Sequence, residues 1–321
     1  MKWGIMSAAN IAKKALIPAL QRTEGAEVYA IASQSGKEKE VSEEFNIPYT
    51  YDNYEALLED PKVEAVYIPL PNHLHKEWTI KAAEAGKHVL CEKPASLTQA
   101  DVREMMRACE ANGVYFQEAF MYQFHPQHQK VKSLIEQGEI GEVTLLRSSF
   151  SFNFDRSQYN IRLDPSKGGG SLWDIGCYGV HSALHILDRE VKSLTTTAKM
   201  DEQFGVDTTA VATLLLEDDI IVQVDCSFDA HFRNEYQVIG TKGMLRVHDA
   251  YRPDKNDHQG KITLENNYGE RSFEEYGDQY SLQVEAFMKA INEKESLDKY
   301  HKETFRYLDV MEKIQHSLKY K

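Results

Sequence analysis

The sequence predicts an α/β protein of two domains, in which a parallel sheet flanked by helices is followed by a larger, mostly antiparallel sheet. Its 321 residues are enough for two ordinary domains. Over the first 120 residues, short runs rich in Val, Ile and Leu alternate with longer amphipathic segments, which indicates a parallel sheet. Later stretches are longer and alternate in polarity, which is typical of antiparallel strands. We therefore expect domains at 1–120 and 121–321.

The predicted elements follow one another without internal repeats. In the first domain, strands are predicted at Trp3–Met6, Val28–Ala32, Val63–Ile68, His88–Cys91 and Val114–Gln117, and helices near 10–22, 37–45, 53–59, 73–85 and 98–112. In the second domain, strands are predicted within 142–154, 191–200, 209–216, 219–229 and 235–248. The tail from about 278 to 321 returns to helical spacing, and we expect its helices to pack back on the body of the protein.

The overall charge and the cysteines exclude several classes of function. Lys and Arg total 37 against 50 for Asp and Glu, and the net charge of −13 disfavours nucleic-acid partners and anionic membrane surfaces. The sequence contains no apolar stretch near twenty residues and no secretory h-region, so we expect a cytoplasmic protein. The 4 cysteines lie far apart without a CxxC pair, which fits a reducing compartment and gives no zinc pattern.

The turn after the first strand, GIMSAANIA, occupies the place where a dinucleotide-binding fold carries GxGxxG. Its glycine positions are Ser7, Ala9 and Ala12. Small residues still allow a pyrophosphate to approach the backbone at the positive end of a helix. We therefore expect Ser7, Ala9, Asn10 and Ile11 to bind a dinucleotide, with a plain strand-to-helix turn as the alternative.

The end of the second strand bears on the choice between NADP and NAD. NAD-binding folds usually carry Asp or Glu there for the ribose hydroxyl, whereas this sequence has Ser33, Gln34 and Lys37. Because a carboxylate would repel a 2′-phosphate, these residues favour NADP over NAD. The alternative is that they form a solvated loop.

The segment after the next long strand, PLPNHLH, carries two histidines at a spacing of two. We reject a metal site, because no carboxylate or cysteine falls at ligand spacing. Asn72 is instead predicted to cap the following helix. Ligands bind beyond the carboxyl ends of parallel strands, so Pro69, Asn72 and His75 are placed to line a cofactor crevice, with loop chemistry alone as the alternative.

The segment Glu92-Lys93-Pro94 lies at the end of a buried strand, on the same edge of the sheet. Pro94 removes backbone freedom and can form a cis bond, which would direct the lysine. An ammonium at this edge can donate to a substrate hydroxyl and stabilise the alkoxide formed before hydride leaves a carbinol. The alternative is a surface lysine paired with Glu92.

Several motifs occur together in one order along nearly the whole chain: the small-residue turn, PNHLH at 71–75, EKP at 92–94, EAFMYQFHP at 118–126 and GGGSLWDIGCY at 168–178. Together they resemble the glucose-fructose oxidoreductase, inositol dehydrogenase and rhizopine-catabolism family, Gfo/Idh/MocA. The sequence is most similar to its dihydrodiol dehydrogenase and NADP-dependent xylose dehydrogenase branch.

The resemblance implies an N-terminal Rossmann domain and a C-terminal substrate-binding α/β domain, whose open sheet often forms a dimer interface. It also implies nicotinamide-dependent oxidoreduction of a sugar, polyol or trans-dihydrodiol, by a homodimer whose further pairing into a tetramer stays open. Lys93 matches the family's catalytic lysine, beside Glu92 at the cofactor. Tyr178 matches its general acid/base and Asp174 its conserved aspartate. The sequence departs from the family at Ser7 and Ala9, where glycines are usual, and at Gln34 and Gln123, where relatives often carry arginine.

The helix after the glycine-rich segment carries a polar stripe. Its members are Asp174, Tyr178, His181 and His185, which at about 100° per residue span an arc of about 60° on an otherwise apolar helix. We expect function for Asp174 and Tyr178, and satisfied core or interface positions for the two histidines. In the expected mechanism, Tyr178, with its pKa lowered by Lys93, exchanges the hydroxyl proton while Asp174 orients a substrate hydroxyl.

A nonenzymatic dinucleotide sensor of the same fold is the competing hypothesis. The retained lysine and the Asp-Tyr pair speak against it, because a sensor need not keep them. The phenylalanines Phe150, Phe152 and Phe154 alternate along a predicted strand, where we expect sheet packing or a dimer interface rather than a substrate platform.

Overall fold

The computed structural model describes residues 1–157 and 160–319, which form two compact units. One unit comprises Met1–Met121 with Tyr280–Lys302, and the other comprises Tyr122–Gln279 with the segment from Glu303 onward. The long C-terminal segment is therefore divided between the two units. Among the described residues, no helix is both long enough and apolar enough to cross a membrane.

The first unit contains a parallel sheet with the strand order β3-β2-β1-β4-β5-β6. This is the doubly wound order of a Rossmann fold, and the order reverses between β1 and β4. The strands are β1 Lys2–Met6, β2 Glu27–Ala32, β3 Tyr49–Tyr51, β4 Ala65–Ile68, β5 His88–Glu92 and β6 Phe116–Ala119. The predicted parallel sheet is confirmed, and β3, a three-residue strand of partly exposed side chains, is the one that sequence patterning missed.

Helices follow most of these strands, as the alternating pattern predicts. They are α1 Ile17–Arg22, which a π-helical segment Ala12–Leu16 precedes, α2 Glu38–Phe45, α3 Tyr54–Glu59, α4 His75–Glu84 and α5 Gln99–Ala111. Helix α8, Gln279–Glu293, packs on this sheet through Phe287, whose ring centroid lies 5.8 Å from that of the fully buried Trp3.

The second unit is built on a large mixed sheet with the strand order β14-β13-β12-β11-β7-β10-β9-β8. The β7–β10 pair is parallel and the other neighbouring strands are antiparallel, so the predicted mostly antiparallel sheet is confirmed. The strands are β7 Val143–Asn153, β8 Val191–Met200, β9 Asp207–Leu216, β10 Ile221–Ser227, β11 Asp229–Gly240, β12 Gly243–His248, β13 Gln259–Asn266 and β14 Gly269–Tyr276.

Sequence patterning was least accurate near the end of this sheet. The stretch 235–248 belongs to two strands, which meet at the turn between Gly240 and Gly243, the glycines that punctuate this stretch in the sequence. Strands β13 and β14 were missed. Strand β14 is an edge strand of mostly exposed, charged residues and carries no apolar alternation that would predict it. The helix α6, Pro126–Glu136, was missed as well.

Helix α7, Cys177–Leu187, is buried along its whole length and lies directly on the large sheet. A π-helical segment, Leu172–Gly176, leads into it. A Cβ atom added at Gly179 would lie 2.5 Å from a methyl of Val224 on β10 and 2.8 Å from the hydroxyl of Ser148 on β7. Glycine therefore permits the helix to approach these strands, which places the predicted functional helix against the centre of the sheet. The remaining helix, α9, spans Asp298–Lys319.

Candidate active site

The turn after β1 contains an unusual backbone conformation although it lacks glycine. Ser7 has a φ of 148°, in a region that residues other than glycine rarely adopt. Ser7, Ala9 and Ile11 are partly exposed and Asn10 is exposed. The first helical hydrogen bond runs from the amide of Lys13 to the carbonyl of Ala9, at 3.2 Å. The four predicted residues thus lie together at the accessible beginning of a helix.

The loop after β2 presents hydroxyl and cationic groups. Ser33 is buried, and its Oγ lies 2.8 Å from the Oγ of Ser35 and 3.2 Å from the Ser35 amide that donates to it. Gln34 and Lys37 are exposed. The nearest carboxylate along the chain, that of Glu38, is buried at the start of α2. The loop from 33 to 37 therefore carries no negative side chain.

The segment after β4 leads into α4 through a short 3-10 turn, Asn72–Leu74. The N-cap position of α4 is Leu74, so the predicted capping role of Asn72 is wrong. Pro69 is buried and Asn72 is partly exposed. His75 is fully buried, with its Nδ1 2.9 Å from the carbonyl oxygen of Pro94 and its Nε2 2.7 Å from that of Leu70. Burial lowers the pKa of His75, and the hydrogen bonds to these carbonyls oppose the shift.

The turn that carries Lys93 is held by carboxylates on both sides. The hydroxyl of Tyr67 donates to Glu92 Oε1 at 2.5 Å, and the Lys93 amide donates to Glu92 Oε2 at 3.1 Å. The amide of Ala95 donates to the buried carboxylate of Glu118 at 2.7 Å. Burial and the charge of Glu92 raise the pKa of Tyr67 well above its usual value.

Lys93 itself is partly exposed beyond the carboxyl end of β5, as predicted. The Lys93–Pro94 bond is cis, the form that a proline at position 94 makes accessible. Both oxygens of Glu92 serve the local structure, one bound to Tyr67 and the other to a backbone amide. The first unit thus brings the lysine, the glutamate and the His75 segment to one edge of its sheet.

In the second unit, Asp174 has a partner that sequence reasoning missed. The Nε of Arg162 donates to Asp174 Oδ2 at 2.5 Å. The charge of Asp174 raises the pKa of the Arg162 guanidinium, although burial opposes the shift, and the negative charge of an ionised Tyr178 adds to it. Arg162 lies in a 3-10 turn, Ile161–Leu163, whose residues carry no periodic signal. A cation therefore accompanies the predicted Asp-Tyr pair within this unit.

Tyr178 is surrounded by aromatic rings. Its ring centroid lies 5.5 Å from that of Phe150, 5.3 Å from that of Tyr251 and 5.9 Å from that of Tyr122. Tyr178 is 5% exposed, so the phenol is set in a largely apolar wall. Of the three alternating phenylalanines, Phe150 thus packs on the predicted site residue, while Phe152 and Phe154 both pack on Phe228.

The two histidines of the polar stripe are satisfied buried side chains. The Nδ1 of His181 lies 2.6 Å from the hydroxyl of Tyr122, and burial lowers the pKa of His181 to about 3. The Nδ1 of His185 lies 3.0 Å from the carboxylate of Glu303. Asp174 lies in the π-helical segment that precedes α7, whereas Tyr178, His181 and His185 lie in α7 itself.

A second carboxylate anchors the start of this helical segment. Asp207 Oδ2 accepts from the hydroxyl of Ser171 at 2.6 Å and from the amide of Leu172 at 2.8 Å. Burial raises the pKa of Asp207, and these hydrogen bonds oppose the shift. Gly170 has a φ of 106°, and a Cβ atom there would collide with Asp207 Oδ1. The glycine-rich motif therefore makes room for a buried anchor that sequence reasoning did not identify.

Neither a metal-ligand cluster nor a disulfide bond is present among the residues that the structure describes. Within residues 1–157 and 160–319, no group of three or more His, Cys, Asp or Glu side chains is placed to hold a metal ion. Cys91, Cys109, Cys177 and Cys226 are buried and form no disulfide bonds. Burial raises the pKa of Cys109 to about 12, which keeps that thiol protonated at neutral pH.

Comparisons with known proteins agree with these features. Residues 1–120 match the model of the oxidoreductase family with an NAD-binding Rossmann fold, and residues 128–246 match that of the GFO/IDH/MocA C-terminal domain. A D-xylose 1-dehydrogenase (NADP(+)) from Haloferax volcanii is 37% identical over 91% of this chain and 89% of its own. A trans-1,2-dihydrobenzene-1,2-diol dehydrogenase from Mus musculus is 32% identical over 79% of this chain and 76% of its own.

A solved structure is similar along the whole chain. It is that of a 3-ketoreductase from Actinomadura kijaniata in complex with NADP and TDP-benzene. The two chains superpose with a TM-score of 0.92 and 29% identity, over 99% of this chain and 97% of the other.

Proposed function

The chain belongs to the Gfo/Idh/MocA oxidoreductase family, and we propose that it transfers a hydride between NADP and a carbinol or carbonyl carbon of a sugar, polyol or trans-dihydrodiol. The observation that carries the proposal is the Glu92-Lys93-Pro94 turn, which lies at the carboxyl end of β5 and is tied by Tyr67 and Glu118. Ligands of parallel α/β sheets bind at this edge. The relatives named above act on a sugar and on a dihydrodiol.

The residues of the first unit fit a dinucleotide. Ser7 has a φ that residues other than glycine rarely adopt, and Ala9, Asn10 and Ile11 follow it at an accessible helix start, where they would hold the pyrophosphate. On the pyrophosphate's nicotinamide side, Pro69 and Asn72, with the segment that contains His75, would line the cofactor, together with Glu92 and Lys93. When bound, the nicotinamide supplies the hydride acceptor or donor.

We assign NADP rather than NAD to this site. The 2′-phosphate would be held by Ser33, Gln34 and Lys37. Ser33 and Gln34 offer neutral hydrogen-bond donors and Lys37 offers an ammonium, and no carboxylate lies in the loop to repel the phosphate. The Haloferax relative is named as NADP-dependent, and the Actinomadura structure contains NADP. Both support this choice.

The proposed catalytic residues have distinct roles. Lys93 donates a hydrogen bond to the substrate oxygen and stabilises the alkoxide that develops as the carbinol is oxidised. Tyr178 accepts the hydroxyl proton in oxidation and returns it in reduction. Asp174 orients a neighbouring substrate hydroxyl, and Arg162 fixes the Asp174 carboxylate through its 2.5 Å hydrogen bond. Arg162 thereby adds a fourth residue to the three that the sequence indicated.

We further propose a cytoplasmic homodimer that uses 1–120 for the dinucleotide and 121–321 for substrate binding and dimerisation. The buried cysteines, none of which forms a disulfide, fit a reducing compartment. On the large sheet, β9 and β10 alternate between buried and accessible residues, and the accessible side includes Val211 and Ile221, each 43% exposed. A sheet face that exposes aliphatic side chains among polar ones suits association with a second copy.

The first experiment is a fluorescence titration with NADPH and NADH in parallel, followed by a panel of aldoses, inositols and dihydrodiols at the nicotinamide absorbance. We expect preferential NADPH binding and turnover on a member of the panel. Binding without turnover on any substrate would favour the dinucleotide sensor. Failure to bind either cofactor would contradict the role of the Ser7 turn.

A variant tests the catalytic assignment directly. Lys93→Met should lower kcat by about 100-fold or more, because the substrate oxygen loses its cationic donor, and should leave the NADPH Kd nearly unchanged. The matched control is Lys62→Met, an exposed lysine outside the proposed site, which should keep wild-type turnover. Wild-type kcat in the Lys93 variant would refute the assignment.

A further inference from the structure

We propose that His75 is a positioning residue, whose imidazole ties the turn containing Lys93 to the neighbouring strand end through the carbonyl of Pro94. The inference rests on the proposed role of Lys93 and deepens it. It gives the buried histidine of the PNHLH motif a function separate from contact with a ligand.

The imidazole joins the ends of two adjacent strands. His75 is the first residue of α4 and is 0% exposed. One ring nitrogen lies 2.9 Å from the carbonyl of Pro94, just beyond β5, and the other lies 2.7 Å from the carbonyl of Leu70, just beyond β4. Because β4 and β5 pair directly in the sheet, the ring joins their carboxyl ends, and the proposed catalytic lysine directly follows β5.

Both ring nitrogens are occupied by protein acceptors. A neutral imidazole has one N–H and one lone pair, so it can donate to only one of two carbonyls, whereas an imidazolium can donate to both. In either state the ring has no nitrogen left for a substrate, cofactor or metal. Its chemical contribution is therefore to the placement of the two backbone segments.

The other bonds to this turn show what His75 adds. Glu92 binds the Lys93 amide, and Glu118 binds the Ala95 amide. Both carboxylates accept from backbone N–H groups, whereas His75 engages the carbonyl of Pro94, between these amides in sequence. With the His75 bond removed, the Pro94 carbonyl loses a buried partner, and the Pro94–Ala95 peptide, which follows the Lys93–Pro94 bond, is held only through its amide to Glu118. A displacement of the order of 1 Å at a catalytic group can cost about 100-fold in rate.

Substitutions of His75 by Asn and by Gln separate a role in positioning from a role in packing, because each side-chain amide can replace one ring nitrogen. In His75→Asn, the side-chain amide nitrogen can replace Nδ1 and keep the bond to Pro94, while in His75→Gln it can replace Nε2 and keep the bond to Leu70. We expect kcat of His75→Asn within about threefold of wild type, and kcat of His75→Gln and His75→Ala lower by about 10- to 100-fold, with KM and the NADPH Kd little changed. Equal losses in the Asn and Gln variants would overturn the proposal.

The same substitutions in a Lys93→Met background test whether the effect passes through the lysine. We expect no further loss of kcat there, because a misplaced lysine and an absent one are equivalent. A further loss as large as in the wild-type background would overturn the inference while leaving the role of Lys93 intact. If Lys93→Met alone keeps wild-type turnover, the proposed function fails, and the inference fails with it.

A measurement on the unmodified protein guards against variants that do not fold. With ¹⁵N-labelled histidine, the His75 ring should show a protonated, hydrogen-bonded Nδ1 whose signal is unchanged by addition of NADPH. A ring nitrogen with the signal of a solvent-exposed imidazole, or a His75 signal that moves as a direct ligand's would on NADPH binding, would overturn the positioning role.

Discussion

The buried pair of Glu303 and His185 gives a quantitative prediction about the helix that carries Tyr178. Glu303 Oε1 lies 3.0 Å from His185 Nδ1, and the two side chains are 12% and 7% exposed. Burial raises the pKa of Glu303, but the hydrogen bond from His185 and the charges of His185, His181 and Lys132 outweigh it and lower the pKa from 4.5 to about 2. The pair joins α7 to the part of α9 in the same unit.

The depressed pKa means that the folded state favours the ionised carboxyl of Glu303. A lowering of this size corresponds to about 3 kcal/mol of the free energy of unfolding, at about 1.4 kcal/mol per pKa unit. Because the folded pKa is below that of the unfolded chain, this stabilisation is present above about pH 4.5 and is lost as the pH falls toward 2.

Glu303→Gln should lower the free energy of unfolding at pH 7 by about 3 kcal/mol, measured by urea unfolding of the second unit followed by fluorescence. The difference from wild type should shrink as the pH falls below 4.5. Asp309→Asn is the matched control, since Asp309 is 45% exposed on the same helix and pairs with Lys313. That variant should lose about 0.5 kcal/mol or less. Equal losses in the two variants, or a difference independent of pH, would refute the reasoning.

Further predictions concern the turn after β1 and the surroundings of Asp174. Ser7→Gly should bind NADPH at least as tightly as wild type in fluorescence titration, because glycine adopts a φ of 148° without strain, whereas Ser7→Val should bind at least about tenfold more weakly. Arg162→Leu should lower kcat about tenfold or more and Arg162→Lys should restore part of it; unchanged kcat would argue against orientation of Asp174 by this arginine. Asp207→Ala should lower the free energy of unfolding by about 2 kcal/mol, since the Ser171 hydroxyl loses its buried acceptor, and an unchanged urea midpoint would contradict this.

Local sequence patterns carried much of the fold. The parallel sheet followed from short apolar runs separated by amphipathic segments, and Lys93 was placed at the carboxyl edge because its segment directly follows such a run. These features depend on residues close together in the chain. Patterns failed where a strand depends on residues far away in the chain or on its pairing partner. Strand β14 is an example, because its pairing with β13, rather than its own composition, makes it a strand.

The partners of the candidate site residues were beyond local patterns. Arg162 and Asp174 are separated by 12 residues, His75 and Pro94 by 19, and Ser171 and Asp207 by 36. Each pair joins a loop or helix start to a different element, so no periodicity along the chain relates its two members. The π-helical segment before α7 likewise changed the angular relation of Asp174 to Tyr178 that a regular helix implied.

The sequence by itself determined the α/β class, the family and the chemical groups that are candidates for catalysis, because motif order, apolar spacing and residue type are written directly in the chain. Only the tertiary structure decided which of these groups are fixed by hydrogen bonds and which residues provide those bonds. Hydrogen bonds such as that of Arg162 to Asp174, and those of His75 to the Leu70 and Pro94 carbonyls, form when folding brings distant backbone segments within about 3 Å.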